Sequence, residues 1–148
     1  MFKPTKILVP TDFSEYSDRA IERAVDIAKQ DNGEIILLHV IHQDVQACTV
    51  DYCLTEDEVK TVEKRMIEGA KDRIQKEPAK FPLASEVKIS TEVLTGVPYE
   101  EILKFEVLNG IDLIVIASQG RSAIAKYFLG SVSSNVLKGA KCDVLLVK

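Results

Sequence analysis

The chain has no run of about 18 consecutive apolar residues, so a membrane-spanning helix is not expected. Its opening, Met1-Phe2-Lys3-Pro4-Thr5-Lys6, lacks the apolar core of a signal peptide and leads directly into a strand-like run, from which a cytosolic protein is expected. Cysteine is scarce. Cys48, Cys53 and Cys142 are odd in number and irregularly spaced, which argues against a disulfide framework and for reduced thiols. Positive charge is not in excess: 19 Lys and Arg face 23 Asp and Glu, a formal net charge of −4. A non-specific nucleic-acid binder needs a basic field to neutralise phosphates, and none is present. His39, His42, Cys48 and Cys53 supply metal-ligand types, but H-x2-H-x5-C-x4-C does not match a usual zinc module, and no metal site is expected from it.

What the chain does have is apolar content in short blocks. With 148 residues, 46% hydrophobic and 28% charged, it is long enough for one domain spanning 1–148 with its own core. Ile7-Leu8-Val9, closed by Pro10, reads as a buried strand. Ser14 is a candidate N-cap for a helix whose Ala20, Ile21, Ala24, Val25, Ile27 and Ala28 form an apolar stripe ending before Asn32-Gly33. Ile35 to Val40 is a second continuous apolar strand. Such strands need cover on both faces, which favours a parallel sheet between two helix layers.

After an irregular stretch over 41–54, Thr55 and Glu58 form a candidate capping box. Val59, Val62, Met66, Ala70 and Ile74 recur at helical spacing to about Glu77. Pro78 and Pro82 mark a linker. Val87 to Leu94 alternates in polarity, as a strand near a sheet edge does. Gly96-Val97-Pro98 opens a helix with Ile102, Leu103 and Val107 inward, stopped by Asn109-Gly110. Leu113 to Ile116 is a fourth strand, Ser131 to Lys138 a helix stopped by Gly139, and Cys142 to Val147 a fifth strand. Five strands alternating with helices make a single doubly wound α/β domain. Ligands of such sheets bind beyond the carboxyl ends of the strands, where strand order reverses.

The segment from Ala117 to Ser131 follows the fourth strand and carries Gly120 and Gly130. Gly120 can take a positive φ, and Gly130 can let an anion approach bare amides at a helix N-terminus. Together they suit a phosphate cradle. The plainer alternative is that one glycine ends a strand and the other starts a helix.

Ile7 to Ser14, the Leu37-Leu38-His39-Val40 strand end, Gly96-Val97-Pro98, and Gly120-Arg121-Ser122 through Gly130-Ser131-Val132 to Val144-Leu145-Leu146-Val147 resemble the universal stress protein family over essentially the whole chain. The resemblance implies a five-stranded parallel sheet in the order 3-2-1-4-5 with helices on both faces, of the adenine-nucleotide α-hydrolase-like kind, and a homodimer through the last strand. It also implies membership of either an ATP-binding subtype or a subtype without the nucleotide loop. In the binders that loop reads G-x2-G-x9-G-[ST]. Gly120, Gly130 and Ser131 fill the last three marked positions, and Ala117 replaces the first glycine. A left-handed backbone at Ala117 would cost about 1–2 kcal/mol, whereas an extended one would tolerate the methyl group.

Carried over position by position, the resemblance puts Asp12 near the ribose and metal, Pro10 and Thr11 in the adjoining wall, and Val40 in the adenine slot. The backbone amides of Gly120, Gly130, Ser131 and Val132, with the Ser131 hydroxyl, would hold phosphate oxygens of ATP, ADP or AMP. Arg121 either reaches the phosphates or is simply solvated. Mg²⁺ would bridge phosphates while keeping waters. Asp12 has its own plainer role as a helix cap.

No paired carboxylates, Ser-His-Asp set or Walker lysine motif accompanies this loop, so an enzyme is not expected and any ATP hydrolysis would be slow. The preferred reading is a nucleotide-responsive stress-tolerance or regulatory module with a further protein partner. The competing reading is an interaction dimer with an empty pocket. A phosphorylated receiver domain shares the five-stranded design, but it needs an Asp after the third strand, where Thr95-Gly96 stands.

Overall fold

The computed structural model describes residues 1–42, 55–120 and 129–148. Five parallel strands form one sheet: β1 (Lys6–Pro10), β2 (Glu34–His42), β3 (Lys88–Gly96), β4 (Leu113–Ala117) and β5 (Asp143–Val147), in the order β3-β2-β1-β4-β5. The helices among the described residues are α1 (Glu15–Asp31), α2 (Glu56–Lys76), α3 (Pro98–Asn109) and α4 (Ser131–Gly139). The three inner strands, β2, β1 and β4, are apolar on both faces because both faces are covered. Ile7, Val9, Ile35, Leu37 and Val115 pack with α1 residues Ala20, Ile21, Ala24 and Val25. Leu8, Ile36, Leu38, Ile114 and Ile116 pack with Ile102 of α3 and Val136 of α4. Each fully buried Ile or Leu contributes about 1.5–3 kcal/mol, so an Asp at Ile21 would break the α1 contact outright.

Local chemistry sets the helix ends. Ser14 caps α1 by accepting from the Ser17 amide, and Asn32, at φ 55°, closes it in the left-handed region. Gly33 serves a different need, since a β-carbon there would lie 2.7 Å from the Pro4 carbonyl oxygen. Thr55 and Glu58 form a reciprocal capping box at the start of α2. Pro98 occupies the first turn of α3, and Gly110, at φ 62°, ends it. The expected linker at Pro78 and Pro82 is instead two short 3₁₀ turns, Glu77–Lys80 and Pro82–Glu86.

Three sequence expectations need correction. Val62 and Met66 are exposed, Val59 and Ala70 are half-buried, and Ile74, near the C-terminal end of α2, is its fully buried residue. Val107 is 62% exposed, whereas its neighbour Glu106 is buried. One Glu106 carboxylate oxygen accepts from the amides of both Lys141 and Cys142, at 2.6 Å each, where the chain turns into β5. Helical spacing favoured the valine; the need to satisfy two amides put the acid inside. Gly139 is the last residue of α4, and Ala140 forms its C-cap. A β-carbon on Gly139 would fall 2.6 Å from Leu103, so the glycine permits close approach of α3 and α4.

Candidate functional site

In the order 3-2-1-4-5 the chain runs outward from β1 to β3 and then returns to β4, so loops diverge between the carboxyl ends of β1 and β4. A cleft of about 230 Å³ lies there. Pro10 ends β1, Val40 lies near the end of β2, and Ala117 ends β4; all three line the cleft, with Thr11 and Asp12 beyond β1. Gly120, Gly130, Ser131 and Val132 line the opposite side. Nine of the ten expected residues therefore share one cavity, and Arg121 lies outside the described residues. Cys48 and Cys53 of the rejected metal motif also fall outside them.

The β1–α1 wall is a hydrogen-bonded turn. The Thr11 hydroxyl donates to Ser17 Oγ at 3.0 Å and accepts from the Phe13 amide at 3.1 Å. Asp12 Oδ1 accepts from both the amide and the hydroxyl of Ser14, the amide at 3.0 Å. Asp12 thus supports the capping residue rather than capping α1 itself, and it remains in the cleft lining while doing so. Phe13, at φ 64°, sits in the left-handed region, a conformation costly for an aromatic side chain.

The β4–α4 wall is tied down at both ends. Ser118 donates its amide to Val147 O, and Gly130 donates its amide to Ser118 O, each at 2.8 Å. The Ser133 hydroxyl donates to Ala117 O. These bonds correct one expectation: the Gly130 amide is spent within the protein and is not a donor for an anion. Gly130 stands at the N-cap without a side chain to cap the helix beyond it, and Ser131 and Val132 of the first turn line the cleft.

The other glycine is also corrected. Gly120 does not have a positive φ; what it supplies is room, because a β-carbon there would lie 2.8 Å from Asp12 Oδ2. Ala117 resolves in the favourable direction. It is extended strand, paired with Val147, and its side chain belongs to the core under α1 with Val9, Val115 and Ala20. Replacement of the first motif glycine therefore carries no left-handed strain.

Sequence reasoning missed several lining residues. Leu38, Ile102 and Ile116 make the cleft floor apolar, and Pro98 brings the start of α3 to its rim. His39 also lines the cleft. Its position in the second strand was legible, but its bond to the carbonyl of Thr11, at 2.7 Å, required the fold. Among the described residues, no group of three or more His, Cys, Asp or Glu is placed to hold a metal ion, and no helix is long and apolar enough to cross a membrane.

Comparison with known proteins follows the same outline. The model of the universal stress protein family matches residues 3–148. Universal stress protein MJ0531 of Methanocaldococcus jannaschii is 34% identical over 143 residues, covering 97% of this chain and 81% of its own. The solved structure of MJ0577, from the same organism, superposes with a TM-score of 0.84 at 30% identity, covering 99% of this chain and 97% of its own. A universal stress protein solved in complex with cAMP gives a TM-score of 0.63 at 25% identity, with 99% and 98% covered.

Proposed function

The chain belongs to the universal stress protein family, and from that premise we propose that it is of the ATP-binding subtype: a cytosolic, nucleotide-responsive regulatory module rather than an enzyme. The observation that carries this reading is the meeting of the Pro10-Thr11-Asp12 turn with the N-terminus of α4, where Gly130 stands at the N-cap, across one cleft. The cAMP complex of a relative supports an adenine nucleotide as the class of ligand.

The donor set suits such a ligand. The apolar floor of Leu38, Val40, Ile102 and Ile116 would take the base, and exposed backbone groups at the strand ends would read its edge. The first-turn amides of α4 and the Ser131 hydroxyl would hold phosphate oxygens, where the helix dipole favours negative charge. Mg²⁺ would enter with the phosphates, keeping most of its waters, with Asp12 as the carboxylate on that side of the cleft. In this reading the protein would contribute binding and orientation to a bound triphosphate, with no base or nucleophile assigned among the described residues.

Pairing through β5 completes the proposal. This strand lies at the sheet edge beside β4, and a second copy would satisfy its outward backbone groups. Light scattering at micromolar concentration should give twice the chain mass; a monomer would remove the dimer from the proposal. Mass spectrometry of small molecules released from freshly purified protein tests the ligand class and should detect ATP, ADP or AMP. Release of a different metabolite at equal stoichiometry with protein would contradict it.

A further inference from the structure

We propose that His39 is a positioning residue for the nucleotide cleft, acting through the β1–α1 turn that carries Asp12. The inference rests on the nucleotide reading above for its functional consequence, but its structural part stands without it. Thr11 is held by β2 through both of its backbone groups: its amide donates to Leu38 O at 2.8 Å, and its carbonyl oxygen meets His39 Nδ1 at 2.7 Å. A carbonyl can only accept, so the bond requires the proton on Nδ1. Beyond Thr11 the chain leaves the sheet. The next two residues are Asp12, in the cleft wall, and Phe13, in the left-handed region.

A left-handed phenylalanine persists only where its surroundings hold it. Here the ring is clasped from two elements. The His39 imidazole lies 4.5 Å from it, centroid to centroid and tilted by 41°, and the Arg73 guanidinium of α2 lies 4.3 Å from its centroid. Both contacts are favourable for an aromatic ring, one edge-tilted and one cationic. His39 therefore acts twice on three consecutive residues, fixing the carbonyl of Thr11 and the ring of Phe13. Asp12 lies between these two points. With the turn so fixed, its carboxylate can be shared between Ser14 and the space over Gly120.

The test compares His39→Leu with His39→Asn, because the asparagine amide nitrogen stands close to the place of Nδ1 while leucine keeps bulk without a donor. Amide hydrogen exchange in nucleotide-free protein reads the turn directly at Phe13, bonded to Thr11 Oγ1, and Ser14, bonded to Asp12 Oδ1. We expect exchange at these amides to be about three- to tenfold faster in His39→Leu and clearly less accelerated in His39→Asn, which keeps the donor but loses the ring contact, with α1 interior amides unchanged. Affinity for ATP with Mg²⁺ should weaken by a similar factor in the leucine variant and less in the asparagine variant. If His39→Leu does not fold, His39→Gln replaces it, since its amide nitrogen lies too far out to reach Thr11 and the same loss is expected. Unchanged exchange in the donor-less variant, or equal loss in both variants, overturns the proposal whether or not ATP binds. Faster exchange together with a wild-type protein that ignores ATP would keep the positioning role and remove the nucleotide reading.

Discussion

Asp12 and Gly120 meet across the cleft so closely that a β-carbon on residue 120 would lie 2.8 Å from Asp12 Oδ2. The contact joins the turn after β1 to the loop after β4, the two loops that diverge at the reversal of strand order. It also gives glycine a reason to be there that does not depend on its backbone angle.

Gly120→Ala should therefore displace the Asp12 carboxylate without straining its own backbone. We expect a stability loss of about 1 kcal/mol or less in urea titrations, with weaker nucleotide affinity. In combination with Asp12→Ala the cost of the new methyl should vanish, a non-additivity that a double-mutant cycle would read. Strict additivity would mean that the carboxylate moves aside freely.

Gly130→Asp separates binding from folding. The backbone at Gly130, φ −58° and ψ 150°, suits an N-cap residue, and a β-carbon there comes no closer than 3.4 Å to the Ser118 carbonyl. A carboxylate at this place would cap α4 and add about 0.3 kcal/mol of stability to the nucleotide-free protein, since glycine is already a tolerable N-cap. It would also put negative charge where phosphate is proposed to sit. Thermal melting should show the gain and calorimetry the loss of ATP binding; unchanged affinity would place the phosphates elsewhere.

Glu106→Ala would leave the Lys141 and Cys142 amides without their acceptor, costing about 2–5 kcal/mol in urea unfolding. Glu106→Gln should cost less, because the amide oxygen can still accept. Burial, and next the adjoining Glu106, push the Cys142 thiol up to about 12. With Cys48 and Cys53 changed to serine, Cys142 should react slowly with a thiol reagent at pH 8 and faster in Glu106→Gln.

Asp112 ties the start of β1 to the start of β4. Its carboxylate accepts from the Thr5 hydroxyl at 2.6 Å, the Thr5 amide at 2.9 Å and the Lys6 amide at 3.0 Å, which hold its pKa below the ordinary 3.8. A lowered folded-state pKa contributes stability that is present above the unfolded value and is lost as pH falls through the folded one. Urea midpoints should thus fall on acidification below about pH 4, and Asp112→Asn should flatten that part of the curve. A curve identical to wild type would assign the acid loss to other carboxylates.

Most of the fold was legible because its signals are local. Unbroken apolar strands, Ser14, the Thr55 and Glu58 box, Pro98 and Gly110 each act within a few residues. The strand order came through resemblance, and the sheet bears it out. What stayed hidden depends on contacts across long separations in sequence. Glu106 goes inward for amides 35 and 36 residues away, and Gly139 makes room for Leu103. In the site, the lining was legible in position but not in role. Gly120 serves Asp12 rather than a positive φ, Gly130 spends its amide on Ser118, and His39 gained its part only when β2 was laid beside β1.

Calorimetric titration of the purified protein with ATP and Mg²⁺, paired with thermal melting, tests the nucleotide reading most directly. Saturable binding is predicted, with ligand at about 100 times its dissociation constant adding about 2.7 kcal/mol, a rise in melting temperature of roughly 5–10 °C. Absence of heat and of any melting shift at millimolar ATP would contradict it.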